Sequence, residues 1–373
     1  MIYSLMSIRS IVCELLSSLL FFCLLYHPLY GNLQKPIGFT TIQQCIEKQI
    51  PIQFLLHENH AKQFVLSLHD GVVIGEGGII TKEGEILEDT ETYKHDQHKL
   101  LSGQRDITTD PSLFFDGKLA VVSSPGQENW YHWLLQVLPR LKILIDSGIS
   151  YDKIYINNLK YKWQRESLSI VMEKLGIPQD RLLLIEGDHA IIAKTLIVPS
   201  VPFIPSKERR FLPSWLKEFI RSTFLIHKEC LGAKRIYISR SKASIRRITN
   251  ETELVQFLKG KGFVVLHLED LSIYEQAQYF YNAEIIIGPH GSGFTNLIFT
   301  QPNTSIIEID HALETGQRSF FKNMAKNPAY NYMDCNYNAF YVDIVDETDL
   351  EKDMCVDIPS FEQFCKNLNL FTL

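Results

Sequence analysis

Four β-rich apolar runs follow one another through the second half of this chain and restrict its fold more than any other feature: RIYISR (235–240), FVVLHL (263–268), EIIIG (284–288) and SIIEI (305–309). Helix-start signals lie between them. Asn250 stands three residues before Glu253, and Ser272 three before Glu275. That is the spacing of a capping box, in which each residue satisfies the other's backbone N–H. Leu254, Phe257 and Leu258 then share one face of the first helix, and Ile273, Ala277, Phe280 and Tyr281 one face of the second. A third helix is expected over 293–300. Strands too apolar to face water on either side, alternating with helices, build a parallel sheet covered on both faces with right-handed crossovers. Such a half-fold takes its ligands beyond the carboxyl ends of its strands.

The first half reads differently. From Phe64 to Asp89, short apolar runs are punctuated by Asp70-Gly71, Gly75, Gly77-Gly78 and Glu83-Gly84, the pattern of a small antiparallel meander. LAVVSS (119–124), IYINN (154–158), LLLIEG (182–187) and TLIVPS (195–200) are further strands, with helices starting near Asn129 and covering 163–176. Pro139 is expected to kink the first of these helices. Pro199, Pro202 and Pro205 interrupt regular structure, and Pro213-Ser214 opens a helix running to about Leu231. The 373 residues allow about two domains. The expected organisation is an apolar segment at 1–31, an α/β unit at 32–205, a Rossmann-like unit at 206–310 and an extension at 311–373 that packs back on the body, bracing the first unit.

Residues 11–26 (IVCELLSSLLFFCLLY) follow Arg9 and are broken by Glu14; they fall short of the ~20 apolar residues that span a bilayer. An uncleaved signal or anchor, an interfacial helix in contact with a membrane, and a helix docked on the body all fit. Localisation is therefore left open between membrane-associated and cytoplasmic. The seven cysteines include no C-x-x-C pair, so neither a zinc ribbon nor a thioredoxin motif is present, and a disulfide among Cys335, Cys355 and Cys365 stays open.

Composition bounds the chemistry. Apolar residues at 45% with charged residues at 21% belong to a folded chain, and a net charge of −6 argues against a dedicated nucleic-acid binder. Yet residues 234–247 hold Lys234, Arg235, Arg240, Lys242, Arg246 and Arg247 and no acid. Arg240 ends a strand, where a guanidinium can fork onto a diphosphate. Lys234, Lys242 and one of Arg246 and Arg247 fit a solvated surface better.

GPHGSGFTN (288–296) leaves a buried strand and enters a helix. Gly291 and Gly293 let backbone approach a ligand closely, and the helix start offers unpaired N–H groups to a phosphate or a sugar hydroxyl. The spacing is neither G-x-G-x-x-G nor G-K-[ST], which argues against a dinucleotide-dependent oxidoreductase and a P-loop. His290 either donates to a ligand or satisfies neighbouring backbone. Glu308, ending its strand, is a candidate for accepting from a ribose diol. No Asp-x-Asp triplet occurs, so the expectation is no metal and no cofactor. In the first half, NWYHWLLQVLPRL (129–141) places Trp130, Trp133, Leu134, Val137, Leu138 and Leu141 on an apolar stripe, with Asn129 and His132 at the helix start. A histidine there can act as general base on a hydroxyl or can be structural.

Taken together, N-W-Y-H-W-L-L-Q-V-L-P-R-L, Y-I-S-R with Asn250-Glu251, Glu275-Gln276, G-P-H-G-S-G-F-T-N and I-I-E-I resemble glycosyltransferase family 61 over roughly residues 60–310. That family includes bacterial capsular polysaccharide proteins, plant xylan pentosyltransferases and eukaryotic O-linked N-acetylglucosamine transferases. The resemblance implies a GT-B-like α/β fold, two Rossmann-like domains facing across a cleft, here with an N-terminal β-meander. It implies an inverting, metal-independent transfer from a nucleotide sugar, a UDP-sugar being the donor expected, to a glycan or polysaccharide acceptor. Arg240 would hold the diphosphate, with Arg246, His290, Gly291, Ser292, Gly293, Asn296 and Glu308 around the donor. His132, with Asn129, would face the acceptor, a carboxylate elsewhere being the other candidate for base. Ser292 stands where that loop more often has Ala. A catalytically inactive glycan-binding relative is the alternative.

Overall fold

Strands that bury both faces send successive side chains into two different cores, and this alternation is visible throughout the computed structural model. It describes residues 38–55, 63–87, 113–187, 189–202, 212–225, 232–311, 320–326, 333–342 and 352–371. The apolar segment 11–26 and the Pro205 boundary lie outside the described residues.

The first sheet has nine strands: β1 (Gly38–Thr40), β2 (Ile52–Leu55), β3 (Gln63–Ile74), β4 (Gly78–Ile80), β5 (Glu85–Leu87), β6 (Phe114–Val121), β7 (Lys153–Asn157), β8 (Leu182–Ile185) and β9 (Ala190–Pro199). Their order is β1-β5-β4-β3-β9-β6-β7-β8, with β2 paired to β3. Strands β9, β6, β7 and β8 are mutually parallel, whereas β3 runs antiparallel to β2, β4 and β9. The sheet therefore joins a βαβ half to the expected meander. Val65, Ala120, Ile154 and Ile197 point to one face; Leu66, Leu119, Val121, Tyr155, Leu196 and Val198 point to the other, where helix α1 (Ile42–Glu47) contributes Cys45.

The second sheet is wholly parallel: β10 (Arg235–Ile238), β11 (Val264–Leu266), β12 (Ile285–Pro289), β13 (Ser305–His311) and β14 (Asn336–Val342), in the order β11-β10-β12-β13-β14. Ile236, Ile286 and Ile306 fill the face that continues into the first sheet's core. Tyr237, Ile287, Ile307 and Ile309 fill the opposite face, under α5 (Glu251–Gly260) and α8 (Ile358–Asn367). The chain leaves β10 to one side for β11 and returns to its other side as β12. That reversal opens a crevice beyond the carboxyl ends of β10 and β12.

Helix α2 (130–146) joins β6 to β7, α3 (Lys162–Lys174) follows β7, and α4 (Ser214–Phe224) and α6 (Ile273–Asn282) pack between the sheets. In α2, residues Trp133–Val137 form a π-helical turn just before Leu138-Pro139. Proline has no N–H for the i−4 carbonyl, and a widened turn re-routes the ladder there.

Some local expectations change. The helix after β12 is a tight 3-10 helix, Ser292–Phe299, with Phe294 to Phe299 fully buried. Asn250 caps α5 by position only: its amide instead donates to the Val356 carbonyl at 2.8 Å and accepts from the Val356 N–H at 3.0 Å. Ser272 and Glu275 do form the expected box, on α6. Of the described residues after 311, β14 pairs with β13, Phe321, Met324 and Ala325 of α7 (Phe320–Lys326) join the core shared with the first sheet, and Phe361 and Cys365 of α8 are buried with Leu254 and Leu258 of α5. Cys335, Cys355 and Cys365 are free thiols, and burial pushes the Cys365 thiol up to about 12. No helix among the described residues is long and apolar enough to cross a membrane.

The meander also shapes the loop that follows β6. Glu76, in the β3–β4 turn, accepts from the Gly126 N–H at 3.0 Å, and the Tyr155 hydroxyl donates to the Gly75 carbonyl at 2.5 Å. Gly77 sits at φ +113° with space for no Cβ, since one would lie 2.5 Å from the Ser123 carbonyl oxygen. Gly77→Ala is therefore expected to lower unfolding free energy by about 1–3 kcal/mol through backbone strain, measured by urea titration.

Candidate functional site

Two sets of strand ends meet at one cavity of about 690 Å³, within the range of small-molecule sites. The first sheet supplies the segment after β6 (Gly126, Glu128, Asn129, Trp130) and the segment after β7 (Tyr161, Lys162, Trp163). The second supplies the ends of β10 (Ile238, Ser239, Arg240) and β12 (Pro289, Gly291 to Phe294), with Leu268 and Glu269 after β11.

The wall from the second sheet is built around Arg240. Its guanidinium donates from Nε to the Arg246 carbonyl at 3.3 Å and from Nη2 to the Ile245 carbonyl at 3.0 Å. The 241–247 turn thus holds the side chain against the end of β12. Gly291 completes the seat: a Cβ there would fall 2.1 Å from Arg240 Nη1. Gly288 and Gly293 also pack closely, a Cβ on either falling 2.9 Å from Ile238 or Leu268 respectively. The glycines of this loop serve side-chain approach within the protein as well as any ligand.

Half of the six basic residues of 234–247 are paired with acids. Lys234 pairs with Glu284 at 2.9 Å, Lys242 with Asp270 at 2.5 Å and Arg247 with Asp353 at 2.7 Å. Asp270 and Asp353 carboxyls are held below their usual range by hydrogen bonds from Lys242 and Arg247. Arg246 contributes its carbonyl to Arg240, and its side chain is not among those lining the cavity. Arg240 is the basic residue of 234–247 that faces the cavity.

Gly291, Ser292 and Gly293 line the cavity as expected. His290, Asn296 and Glu308 are not among the residues lining this cavity, and each is engaged by other side chains. His290 is 13% exposed at its side chain, with Nδ1 2.5 Å from Glu308 Oε1 and 3.7 Å from Asp310 Oδ2. Glu308 is 1% exposed and its second oxygen accepts from the Tyr337 hydroxyl. Burial first, then the Glu308 carboxylate, push the Tyr337 phenol well above its ordinary value, so it stays a donor. Through these two bonds the carboxylate ties the start of the glycine loop to β14.

Asn296 is fully buried and spends both amide atoms on protein. Its Oδ1 accepts from Trp130 Nε1 at 2.8 Å and its Nδ2 donates to Gln276 Oε1 at 2.7 Å. Gln276 donates in turn to the Leu268 and Leu271 carbonyls at 2.9 and 3.1 Å. One hydrogen-bond chain therefore runs from α2 through the 3-10 helix and α6 to the segment after β11, beneath the cavity.

On the first-sheet wall, Asn129 caps α2, its Oδ1 accepting from the Tyr131 N–H at 2.9 Å, and lines the cavity. His132 lies one turn further in and is 4% exposed, outside the cavity lining. Its Nδ1 is 2.8 Å from Gln136 Oε1. This contact ties the imidazole to its own helix one turn on. Sequence reasoning passed over Tyr161, Trp163, Glu128 and Glu269, all of which line the cavity. The two rings had one signal in the sequence, aromatic clustering at the start of α3, and the two glutamates had none.

Residues 130–307 match the family model described as Glycosyltransferase 61, just under half of the chain. The matched stretch begins at Trp130 and ends within β13, so it takes in residues from both walls of the cavity. No curated protein matches the chain.

Asn296→Ala would leave Trp130 Nε1 and Gln276 Oε1 buried without partners. It is expected to cost about 2–5 kcal/mol of stability, read by urea unfolding, with a red shift of native tryptophan emission as Trp130 gains water.

Proposed function

Residues 130–307 belong to the glycosyltransferase 61 family, and from that premise we propose that the chain transfers a sugar from a nucleotide-sugar donor to a hydroxyl of a glycan or polysaccharide, with inversion and without a divalent metal. The observation that carries this reading is the seating of Arg240 against Gly291 at the switch point of the parallel sheet, inside a cavity walled by two sets of strand ends. The two sheets would then act as the two halves of a GT-B arrangement, the donor on the second. A UDP-sugar is the donor proposed, and surface polysaccharide or glycoconjugate assembly the role.

Inversion takes one step. The acceptor oxygen attacks the anomeric carbon as the bond from that carbon to the diphosphate oxygen breaks, and the acceptor proton passes to a base. The protein's task is to meet charge where it develops. Arg240, with the backbone N–H groups of 291–293, would stabilise the departing diphosphate. The base proposed is His132, one turn below the cavity lining and held by its contact with Gln136. Glu269, exposed at the cavity, supports a second reading in which a carboxylate takes the proton.

Thermal-shift screening of nucleotide sugars, followed by detection of released nucleoside diphosphate, tests the activity; no stabilisation and no release across the panel would refute it. Arg240→Ala should weaken nucleoside diphosphate binding about 10- to 150-fold, the loss of a charge-assisted hydrogen bond worth about 1.5–3 kcal/mol. Gly291→Ala, which displaces the same guanidinium, should reproduce that loss with the fold intact. Calorimetry showing unaltered affinity in both variants would remove Arg240 from the donor site. His132→Ala should lower turnover about 10²–10⁴-fold if it is the base; wild-type turnover there, with loss in Glu269→Gln, would transfer the role.

A further inference from the structure

The wall opposite Arg240 is aromatic. Tyr161 and Trp163 stack with ring centres 5.4 Å apart and planes 8° from parallel, and Trp130 meets Trp163 edge-on at 5.3 Å. All three line the cavity. Tyr161 is 42% exposed, an unusual setting for a ring backed by a second aromatic. The platform is held in place before any ligand arrives. Gln164 Oε1 accepts from the Tyr161 N–H at 3.0 Å, and its amide donates to the Gln127 carbonyl at 3.1 Å. Arg165 donates to the Leu159 and Lys160 carbonyls, and Trp130 is fixed through Asn296. Beside the rings stand Glu128, Asn129 and Lys162.

A pyranose has an apolar C–H face and a rim of hydroxyls. An aromatic face takes the first, and flanking charged and amide groups take the second. The cavity is thus divided: anion-holding on the second-sheet wall, C–H-stacking on the first. In a displacement with inversion the nucleophile enters opposite the leaving group. We propose that Tyr161, backed by Trp163, forms a subsite for the pyranose unit of the acceptor glycan, placing its hydroxyl across from the diphosphate wall. This subsite rests on the transfer reading above. Tyr161 acts as a positioning and specificity residue; it takes no proton.

The test uses the full chain with Tyr161→Ala and Tyr161→Phe, both expected to melt with the wild type. Binding of cello-, xylo- and chito-oligosaccharides is followed by quenching of tryptophan emission, and transfer by steady-state kinetics. Tyr161→Ala should weaken oligosaccharide binding and raise acceptor KM about 3- to 10-fold, the range of one aromatic contact, with donor KM and donor hydrolysis unmoved. Tyr161→Phe, which keeps the ring, should recover the wild-type acceptor KM. An unchanged acceptor KM in Tyr161→Ala, a rise in donor KM instead, or no quenching of the wild type by any oligosaccharide overturns the subsite. Oligosaccharide quenching that Tyr161→Ala weakens, without transfer from any nucleotide sugar, keeps the subsite and overturns the transferase reading.

Discussion

The hydrogen-bond chain from Trp130 through Asn296 to Gln276 is what makes two sheets into one site. An indole N–H and two amides buried together are costly if any partner is missing, because each loses water and gains nothing. Here every link is made, ending on the Leu268 and Leu271 carbonyls. The chain fixes the start of α2, which carries Asn129 and His132, against the 3-10 helix that follows the glycine loop. Apolar packing fills the space around it, with Trp133, Phe280, Phe294 and Phe299 in one continuous cluster. Packing is non-directional, whereas these hydrogen bonds set the register of one wall against the other. A similar bond stands at the far end, where Arg221 of α4 donates to the Ile298 and Thr300 carbonyls as the 3-10 helix ends.

Electrostatics in the cavity follows from which charges are spent elsewhere. Lys234, Lys242 and Arg247 each have a carboxylate partner, and the exposed pairs among them add little stability. Their effect is local: they keep the basic segment from presenting a diffuse positive field, so Arg240 stands out at the strand end. Deep under the loop, Glu308 is occupied by His290 and Tyr337.

Much of the fold was legible because strands and helices have different periods. Ile236, Ile286 and Ile306 on one face, with Tyr237, Ile287 and Ile307 on the other, are a pattern that only a doubly covered parallel sheet satisfies. Arg240 and the glycines were legible too, since strand ends and missing side chains are local properties. His290, Asn296 and Glu308 were less so. All three occupy ligand-facing positions in sequence, yet their side chains turn inward, toward partners 18, 20 and 29 residues away. The aromatic wall was not legible, because nothing local to residues 161–163 says which segment their rings will face.

The sequence by itself determined the layering, the strand that ends in Arg240 and the loop whose glycines admit it, because periodicity, turn chemistry and backbone freedom are written residue by residue. Only the tertiary structure decided which polar side chains face the cavity and which hold it together. It brought Tyr161 and Trp163 into one cavity with Arg240, set β14 and α8 on the second sheet, and buried His132 against Gln136. Those outcomes depend on pairing between distant segments, where a buried amide or carboxylate takes whatever partner the packing brings within reach.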